Sequence, residues 1–314
     1  MSFALKLLIC LVILACLWAW VLHRAAKAEA AAEAEFPPQG QLLQVNGHTV
    51  HALVMGDGPD LVLIHGSGGN LRDMTLSLAP ELAETYRVIL LDRPGHGYTD
   101  RINTTGATLK DQAHLLAAAA RQLGADKPIV LGHSFGGAVA LAWAVYEPDS
   151  ISGLIPLAAP SNPWETGLPL FYQITSHPIL APIVNPLLTA FVPDNRVESG
   201  VASVFAPNDV LAGYLDHFGA SLTMRRDSLR ANALQRRNLL GEIKALLPLY
   251  GQIKVPTEIV HGTADITVGL SIHSDKLVNQ IPGAVLTPLP GIGHMPQHSA
   301  HDAVIAAIHR IAGN

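Results

Sequence analysis

The chain has 314 residues and a mass of 33.3 kDa, which suits one large α/β domain or about two smaller domains. Hydrophobic residues make up 49% and charged residues only 14%, which excludes a disordered chain and a coiled coil because both need far more charge. The formal net charge of -5 and the pI near 6.3 argue against a nucleic-acid binder, which normally presents a strongly basic surface.

The N-terminus carries an unbroken apolar run over residues 7–22. This run is slightly shorter than the roughly 20 residues of a membrane-spanning helix. The first six residues extend it to that length, because their single lysine can extend to the lipid headgroups. Trp18 and Trp20 lie near its end, where indole rings favour the membrane interface. We therefore predict that residues 1–24 form a single-pass transmembrane anchor, whose orientation the flanking charges do not settle.

Two alternatives to an uncleaved anchor remain open. A signal peptide cleaved at Ala26-Lys27-Ala28 would give a secreted or periplasmic protein. A lipid-modified cysteine at Cys16 is less favoured, because apolar and aromatic residues follow it. The only other cysteine, Cys10, lies in the same region, so the body of the protein has no cysteine for a disulfide or a thiolate metal site. Residues 25–40 are rich in Ala and Glu and predict a helical spacer that ends at Pro37-Pro38.

Short apolar segments alternate with helical patterns from residue 41 onward. Five runs bounded by turn residues predict buried parallel strands, at residues 61–64, 88–91, 129–131, 153–157 and 257–260. Helices are predicted at residues 75–83, 109–123, 135–146 and 272–281. This alternation predicts an α/β fold, with a mostly parallel sheet flanked by helices. Residues 41–54 predict a hairpin around Asn46-Gly47 at the sheet's leading edge, and residues 284–287 predict the last strand.

The alternation stops over residues 161–249, which are apolar, interrupted by prolines and too long for a loop. We predict that this insertion is a helical cap over the C-terminal edge of the sheet, where ligands bind in open α/β folds. Residues 41–160 and 250–314 then form the core. A group of basic residues near the end of the insertion predicts a solvated helix face, with contact to anionic lipid as the alternative. Its members are Arg225, Arg226, Arg230, Arg236, Arg237 and Lys244.

The segment Gly132-His133-Ser134-Phe135-Gly136-Gly137 follows a predicted strand and opens a predicted helix. The pattern Gly-x-Ser-x-Gly in that context is typical of a sharp turn that exposes a nucleophilic serine above the sheet. The glycines allow this tight turn, and the following helix directs the positive end of its dipole to the site. Ser134 is therefore the predicted nucleophile.

A serine hydroxyl needs a base, and the base needs an orienting carboxylate. In this architecture the chain order is serine, acid, histidine. Asp265 lies just past the strand predicted at residues 257–260, and His294 lies in a glycine-rich turn after the last predicted strand. Both positions are at the same sheet edge as the serine, so we predict Asp265 and His294 as its catalytic partners. Three other histidines are interpreted as structural: His133, His261 and His298.

A tetrahedral intermediate needs backbone donors for its oxyanion. The N–H of Phe135, the residue after the nucleophile, is one predicted donor. The glycine-rich segment His65-Gly66-Ser67-Gly68-Gly69 supplies the other, with Ser67 preferred and Gly68 as the alternative. This segment does not predict a phosphate-binding loop, because no Gly-Lys-Ser/Thr sequence follows it.

Taken together, these motifs resemble the α/β-hydrolase fold superfamily over residues 41–312. The resemblance is carried by residues 65–69, 92–97 and 132–136, by Asp265 and by Gly293-His294. Asp92-Arg93-Pro94-Gly95-His96-Gly97 looks like the turn after the fourth strand of that family, and we interpret it as structural. The serine nucleophile departs from the dehalogenase and epoxide hydrolase branches, which use aspartate there. The resemblance implies a mechanism with no metal and no cofactor.

The predicted function is that of a serine hydrolase that cleaves a carboxylic ester-like bond in an apolar small molecule. A C–C bond hydrolase, a lactonase or a haloperoxidase-like enzyme would use the same three side chains and stays open. A protein that binds a small ligand in a capped pocket without turnover is the non-enzymatic alternative. For the predicted hydrolase, the expected partners are a small-molecule substrate and the membrane. No nucleic acid is expected as a partner.

Overall fold

The computed structural model describes residues 1–313, and a single eight-stranded sheet lies at its centre. The strands are β1 (Gln41–Val45), β2 (His48–Met55), β3 (Asp60–Ile64), β4 (Arg87–Leu91), β5 (Ile129–His133), β6 (Gly153–Leu157), β7 (Glu258–Gly262) and β8 (Val285–Leu289). Their order across the sheet is β1-β2-β4-β3-β5-β6-β7-β8. β2 runs antiparallel to β1 and β4, and the remaining neighbours pair in parallel.

Thirteen α-helices accompany the sheet within residues 1–313. They are α1 (Phe3–Glu35), α2 (Leu78–Leu82), α3 (Leu109–Gln122), α4 (Phe135–Tyr146), α5 (Leu170–Ser176), α6 (Ala181–Phe191), α7 (Asp194–Ser203), α8 (Tyr214–Phe218), α9 (Ala220–Thr223), α10 (Arg226–Leu246), α11 (Ser274–Leu277), α12 (Pro296–Ser299) and α13 (His301–Ala312). Short 3-10 helices occupy Leu71–Met74, Pro148–Ser150 and Leu247–Gln252. The predicted α/β fold, with helices beside a mostly parallel sheet, is confirmed.

Most predicted elements lie within a residue or two of the observed ones, and three differ. The helix predicted at 75–83 is shortened to α2, and a turn joins it to a preceding 3-10 helix that Asn70 caps. The helix predicted at 272–281 shrinks to α11, and the turns on either side of it mix i to i+3 with i to i+4 hydrogen bonds. The last strand extends past its predicted end to include Pro288, which an edge strand tolerates because one side has no partner.

Apolar side chains cover both faces of the sheet, as buried parallel strands require. On one face, α3 and α4 pack against alternate residues such as Val62 and Val130. On the other face, α2 and α13 pack against Leu63 and Leu131. The largest core side chain, Trp143 of α4, is fully buried and satisfies its indole N–H on Ser150. This two-sided core fixes the C-terminal ends of the strands, where the predicted site residues lie.

Helices α5–α10 all fall between β6 and β7, inside the segment predicted as the cap. Their contacts reach the loops that follow β3 and β4. Asn232 of α10 accepts a hydrogen bond from Ser67, and Gln235 of the same helix donates one to Pro94. Asn70 donates to the carbonyl of Phe218. The inserted helices therefore cover the edge of the sheet that carries the predicted site.

The N-terminal segment is one continuous helix, α1, which runs through both the predicted anchor and the predicted spacer. It ends just before Pro37, as predicted. The spacer does not stand free of the body, because α1 packs against α6 and buries Val21 and Ala25 there. Within residues 1–313, α1 is the one unbroken helix long and apolar enough to cross a membrane, and a signal sequence would pass the same test.

Part of the basic group on the insertion is used to attach α1. Arg226 makes a two-pronged ion pair with Glu29, at 2.8 and 2.6 Å, and Arg225 pairs with Glu33 at 2.8 Å. The N-terminal part of this group thus faces α1.

Glu242 generates a prediction on stability. Its carboxylate accepts the backbone N–H of Leu109 at the start of α3, and burial together with the charge of Asp111 raises the pKa of Glu242 to about 7. The folded state therefore binds this proton more tightly than the unfolded chain. The protonated Glu242 side chain contributes fully to the free energy of unfolding below about pH 4.5. This contribution is lost as the pH rises through about 7. We expect Glu242→Gln, which keeps the acceptor without the charge, to become increasingly more stable than the wild type across that window.

Urea unfolding at several pH values measures this difference. Glu165→Gln, at an exposed carboxylate, is the matched control and should follow the wild type. An equal stability difference for Glu242→Gln at pH 4.5 and pH 8 would show that folding does not raise the pKa of Glu242.

Candidate active site

Ser134 lies at the junction between β5 and α4 in a strained backbone conformation, with φ of 52° and ψ of -120°. Such a conformation costs a non-glycine residue about 1–3 kcal/mol and persists only where the surroundings enforce it. The flanking glycines make the turn possible. A Cβ on Gly132 would lie 2.1 Å from the carbonyl oxygen of Gly136, and one on Gly136 would lie 2.4 Å from that of Ile64. The close packing of this turn holds the serine at the sheet's edge.

The structure brings Ser134, His294 and Asp265 together in one line of hydrogen bonds. His294 Nε2 lies 2.9 Å from Ser134 Oγ, and His294 Nδ1 lies 2.7 Å from Asp265 Oδ2. All three side chains are buried. Because Nδ1 faces a carboxylate, it carries the proton, and Nε2 is left to accept the serine proton. This is the arrangement that nucleophile activation requires.

Three hydrogen-bond donors hold the carboxylate of Asp265, one of them His294, and His261 lies close by, with its Nε2 2.7 Å from the carbonyl oxygen of Val268. Oδ1 of Asp265 accepts the backbone N–H groups of Thr267 and Val268, at 2.8 and 2.9 Å. Its Oδ2 also lies 3.2 Å from His261 Nε2. Burial acts to raise the pKa of Asp265, but the contacts with His261 and His294 outweigh it and hold the pKa well below its ordinary value. The carboxylate is therefore ionised throughout the physiological range, and His261, interpreted above as structural, lies beside it.

The two predicted oxyanion donors are free to bind a ligand. Within residues 1–313, neither the backbone N–H of Ser67 nor that of Phe135 donates to another protein group. The alternative donor, Gly68, is already occupied, because its N–H donates to Asn232 Oδ1 at 3.0 Å. Asn232 also accepts the hydroxyl of Ser67 at 2.7 Å. The structure therefore favours Ser67 over Gly68, and Asn232 is a supporting residue that no sequence signal indicated.

Arg93 contacts both segments that carry the predicted oxyanion donors. It is fully buried and donates to the carbonyl oxygens of His65 and Gly66, at 3.0 and 2.9 Å. Its guanidinium carbon lies 4.4 Å from the ring centroid of Phe135. Burial lowers the pKa of Arg93 to about 9, so the side chain stays charged at neutral pH. Residues 92–97, predicted as a structural turn, thus supply the residue that positions the loop of Ser67 against Phe135.

A cavity of about 180 Å³ opens beside Ser134 and His294. Its walls combine the loop after β3 with apolar and aromatic side chains of the inserted helices, among them Tyr172, Val201, Val204, Tyr214 and Phe218. Arg236 also lines it, and its Nε is buried with no hydrogen-bond partner among residues 1–313. A larger and more open cleft, of about 660 Å³, lies between α1 and the loop after β4. It contains none of the predicted catalytic residues, so the smaller cavity is the candidate substrate site.

A buried acidic group forms another part of the cavity lining. Asp73 accepts the hydroxyl of Tyr214 at 2.6 Å and contacts His298 at 3.1 Å. Burial opposes ionisation of Asp73, but His298 and His133 hold its pKa far below the ordinary value. Burial and the neighbouring His294 lower the pKa of His133 to about 4, so its imidazole is neutral. The Nε2 of His133 donates to the carbonyl of His294 at 2.8 Å, which helps to fix the predicted base.

Comparison with known proteins agrees with the fold. A family model described as the alpha/beta hydrolase fold matches residues 59–177. This match, the sheet order and the strand-turn-helix at Ser134 show that the chain has the α/β-hydrolase fold.

Curated relatives extend the likeness over most of the chain. A 2-hydroxy-6-oxononadienedioate/2-hydroxy-6-oxononatrienedioate hydrolase of Klebsiella pneumoniae is 28% identical, over 81% of this chain and 87% of its own. A 2-hydroxy-6-oxo-6-phenylhexa-2,4-dienoate hydrolase of Burkholderia cepacia is 27% identical, with the same coverage. These relatives are hydrolases of small molecules, which supports a hydrolase activity here.

Among solved structures, a bacterial membrane phospholipase A aligns with a TM-score of 0.66 at 18% identity. The alignment covers 99% of each chain, so the likeness of fold includes the N-terminal helix.

The buried guanidinium generates a prediction on stability. We expect Arg93→Met to lower the free energy of unfolding by about 3–5 kcal/mol, because the carbonyls of His65 and Gly66 lose their charged donor. Denaturant unfolding measures the loss. Arg121→Met, which removes a partly exposed arginine paired with Glu147, is the control and should change stability by less than about 1 kcal/mol. Equal, small effects of the two substitutions would contradict the role assigned to Arg93.

Proposed function

We propose that the protein is a serine hydrolase that cleaves carboxylic ester-like bonds in apolar small molecules. The observation that carries the proposal is the continuous hydrogen-bonded line from Asp265 through His294 to Ser134, with the free N–H groups of Ser67 and Phe135 beside it. The proposal is supported by hydrogen-bond distances between the three side chains and by two backbone N–H groups that have no protein partner among residues 1–313.

The proposed reaction proceeds in two halves. Ser134 Oγ attacks the carbonyl carbon while His294 Nε2 takes its proton, and the N–H groups of Ser67 and Phe135 bind the oxyanion. His294 then gives the proton to the leaving alcohol, which leaves an acyl group on Ser134. Water, activated by the same imidazole, releases the acid and restores the serine. Every step uses side chains and backbone groups of this chain, with water as the second nucleophile.

The surroundings of Ser134 favour an apolar substrate. Valine and aromatic side chains form much of the cavity wall, and the wall is built by inserted helices rather than by the sheet. We also propose that α1 is retained as a membrane anchor. Cleavage at Ala26-Lys27-Ala28 would remove the buried contacts that Val21 and Ala25 make with α6. A signal sequence that is cleaved off does not need such contacts, so they favour retention of α1.

The catalytic roles predict distinct losses. We expect Ser134→Ala to abolish labelling by a fluorophosphonate probe and hydrolysis of p-nitrophenyl esters. Asp265→Asn should lower kcat by about 10³–10⁴-fold, because the amide no longer selects the productive tautomer of His294. Steady-state kinetics with esters of increasing chain length measure both effects and define the preferred acyl group.

Ser221→Ala, in the inserted helices away from the cavity lining, is a matched control for the serine substitution and should keep wild-type kinetics. A wild-type protein that fails to react with the probe while binding an ester-like ligand would favour the non-catalytic binding protein. Equal labelling of the wild type and Ser134→Ala would refute Ser134 as the nucleophile.

Arg236 favours a second candidate function, the hydrolysis of a C–C bond in a carboxylate-bearing substrate. Arg236 lines the cavity, and its buried Nε has no hydrogen-bond partner among residues 1–313, so its guanidinium would give a substrate carboxylate a charge-assisted hydrogen bond. The names of the curated relatives specify dienoate and dienedioate substrates, which carry such carboxylates. The same Ser134 and His294 would serve this reaction, so only the substrate separates the two functions.

A substitution at Arg236 distinguishes them. For a 2-hydroxy-6-oxodienoate substrate, we expect Arg236→Met to raise KM by about 10- to 100-fold, because a carboxylate loses its charged partner. For neutral p-nitrophenyl esters the same variant should keep its KM within about twofold, since no charge pair is lost. Turnover of the dienoate at a higher kcat/KM than of any ester would replace the ester proposal with the C–C hydrolase.

A further inference from the structure

The exposed apolar side chains outside α1 are concentrated on α5, α6 and the turn between them. We call this surface the α5–α6 apolar face; it comprises Leu170, Phe171, Ile179, Ile183, Leu187 and Phe191, each between 37% and 70% exposed. Residues 166–193 contain no Asp, Glu, Lys or Arg. Single exposed apolar residues are normal on a soluble protein, but an uncharged contiguous group of this kind marks a membrane or protein contact.

The face has a regular helical origin. Ile183, Leu187 and Phe191 recur at every fourth position of α6, so they form one stripe along the helix. The opposite side of α6 is already used, because Asn185 and Thr189 are buried against the protein. Phe191 at one end of the outward stripe contacts α1, whereas Ile183 and Leu187 remain exposed.

The α5–α6 apolar face is continuous with α1. The rings of Trp20 and Phe191 lie 5.6 Å apart, and Arg24 donates from Nε to the carbonyl oxygen of Ala190 at 2.7 Å. The part of α1 that precedes Trp20 is largely exposed and, apart from Lys6, apolar, and at 1.5 Å per residue it measures about 26 Å. That length is close to the roughly 30 Å of a bilayer's hydrocarbon core. In that arrangement α6 contacts α1 at the level of the lipid headgroups, which tryptophan and arginine side chains favour.

We propose that the α5–α6 apolar face docks onto the lipid bilayer beside α1 and inserts its side chains at the boundary between headgroups and acyl chains. The inference rests on the proposed anchoring by α1. A bilayer is the occupant that the arrangement favours, because the spanning segment adjoins the face directly at Trp20 and Phe191. The uncharged sequence also avoids the cost of burying ionised groups in lipid.

This placement has a consequence for the substrate. Tyr172 of α5 lines the cavity, and its ring packs at 5.3 Å against that of Phe171, which belongs to the docking face. One short helix thus forms both the wall of the substrate site and part of the lipid-facing surface. Membrane-dissolved esters with long acyl or alkyl chains are the substrate class that this geometry fits, since they reach the cavity without crossing water.

Depth-dependent quenching tests the docking. The full chain carries Cys10→Ser and Cys16→Ser, and one new cysteine at Val12, Ile183 or Val285 bears an environment-sensitive fluorophore. Val12 reports on the anchor, Ile183 on the face, and Val285, which is 57% exposed on the edge strand β8, is the matched control. In phosphatidylcholine vesicles we expect spin-labelled lipid to quench the probes at 12 and 183, and aqueous iodide to quench the probe at 285.

Each other outcome has a definite meaning. A probe at 183 that iodide quenches as strongly as the probe at 285, with the probe at 12 quenched by lipid, overturns the docking and leaves the anchor intact. Shielding of position 183 from both quenchers assigns the face to a second copy of the chain and also overturns the proposal. Loss of lipid quenching at 12 overturns the anchor, and the docking with it. None of these results depends on catalytic activity.

A kinetic comparison tests the consequence for substrate entry. We expect Ile183→Glu combined with Leu187→Glu to lower hydrolysis of a long-chain ester in vesicles by about tenfold, because two apolar contacts with lipid are replaced by charges. Hydrolysis of a water-soluble short-chain ester should stay within about twofold, and Val285→Glu should match the wild type on both substrates. Equal losses on both esters would mean that the substitutions damage the fold, and no loss on either would refute entry from the bilayer.

Discussion

The buried guanidinium of Arg93 is the contact on which the geometry of the site depends. It joins four parts of the chain: the loop after β3 through backbone carbonyls, α3 through Gln112, α10 through Gln235, and α4 through the ring of Phe135. An ionised group in an apolar interior costs several kcal/mol unless its donors are paired. The loop, the helices and the ring must therefore all be in position for the charge to be tolerated. This requirement places the predicted oxyanion donors relative to Ser134 before any substrate binds.

The sequence predicts the α/β-hydrolase fold and the residues that meet at the site because both follow from local patterns. Ser134, Asp265 and His294 each come after a short apolar strand, and parallel strands place their C-terminal ends at one edge. The supporting contacts do not follow from such patterns. Arg93 and Asn232 act through polar contacts with residues far away in the chain, and a sequence does not indicate which loop a polar side chain will meet.

The cavity has a positively charged side chain and a negatively charged side chain in its wall. This distribution of charge bears on the choice between the two candidate reactions. Arg236 offers an unpaired donor, whereas Asp73 brings an ionised carboxylate to the same cavity with His133 neutral beside it. A substrate with one acidic end would fit in a single orientation, with its carboxylate at Arg236. A neutral ester would rely on the valine and aromatic walls. The preference for one reaction is thus a matter of charge in the cavity, since the atoms at Ser134 are the same for both.

The attachment of α1 gives the inserted helices a mechanical role. Arg225 and Arg226 tie α1 to the helices that wall the cavity, while Tyr98 in the core holds only its final residues, at Phe36. With α1 as the proposed anchor, a bilayer thinner than the apolar length of α1 would tilt that helix. The tilt would displace the helices that form the cavity wall rather than the sheet. Membrane thickness would then change the width of the cavity entrance. Turnover would vary between lipid environments with no change in the proposed catalytic groups.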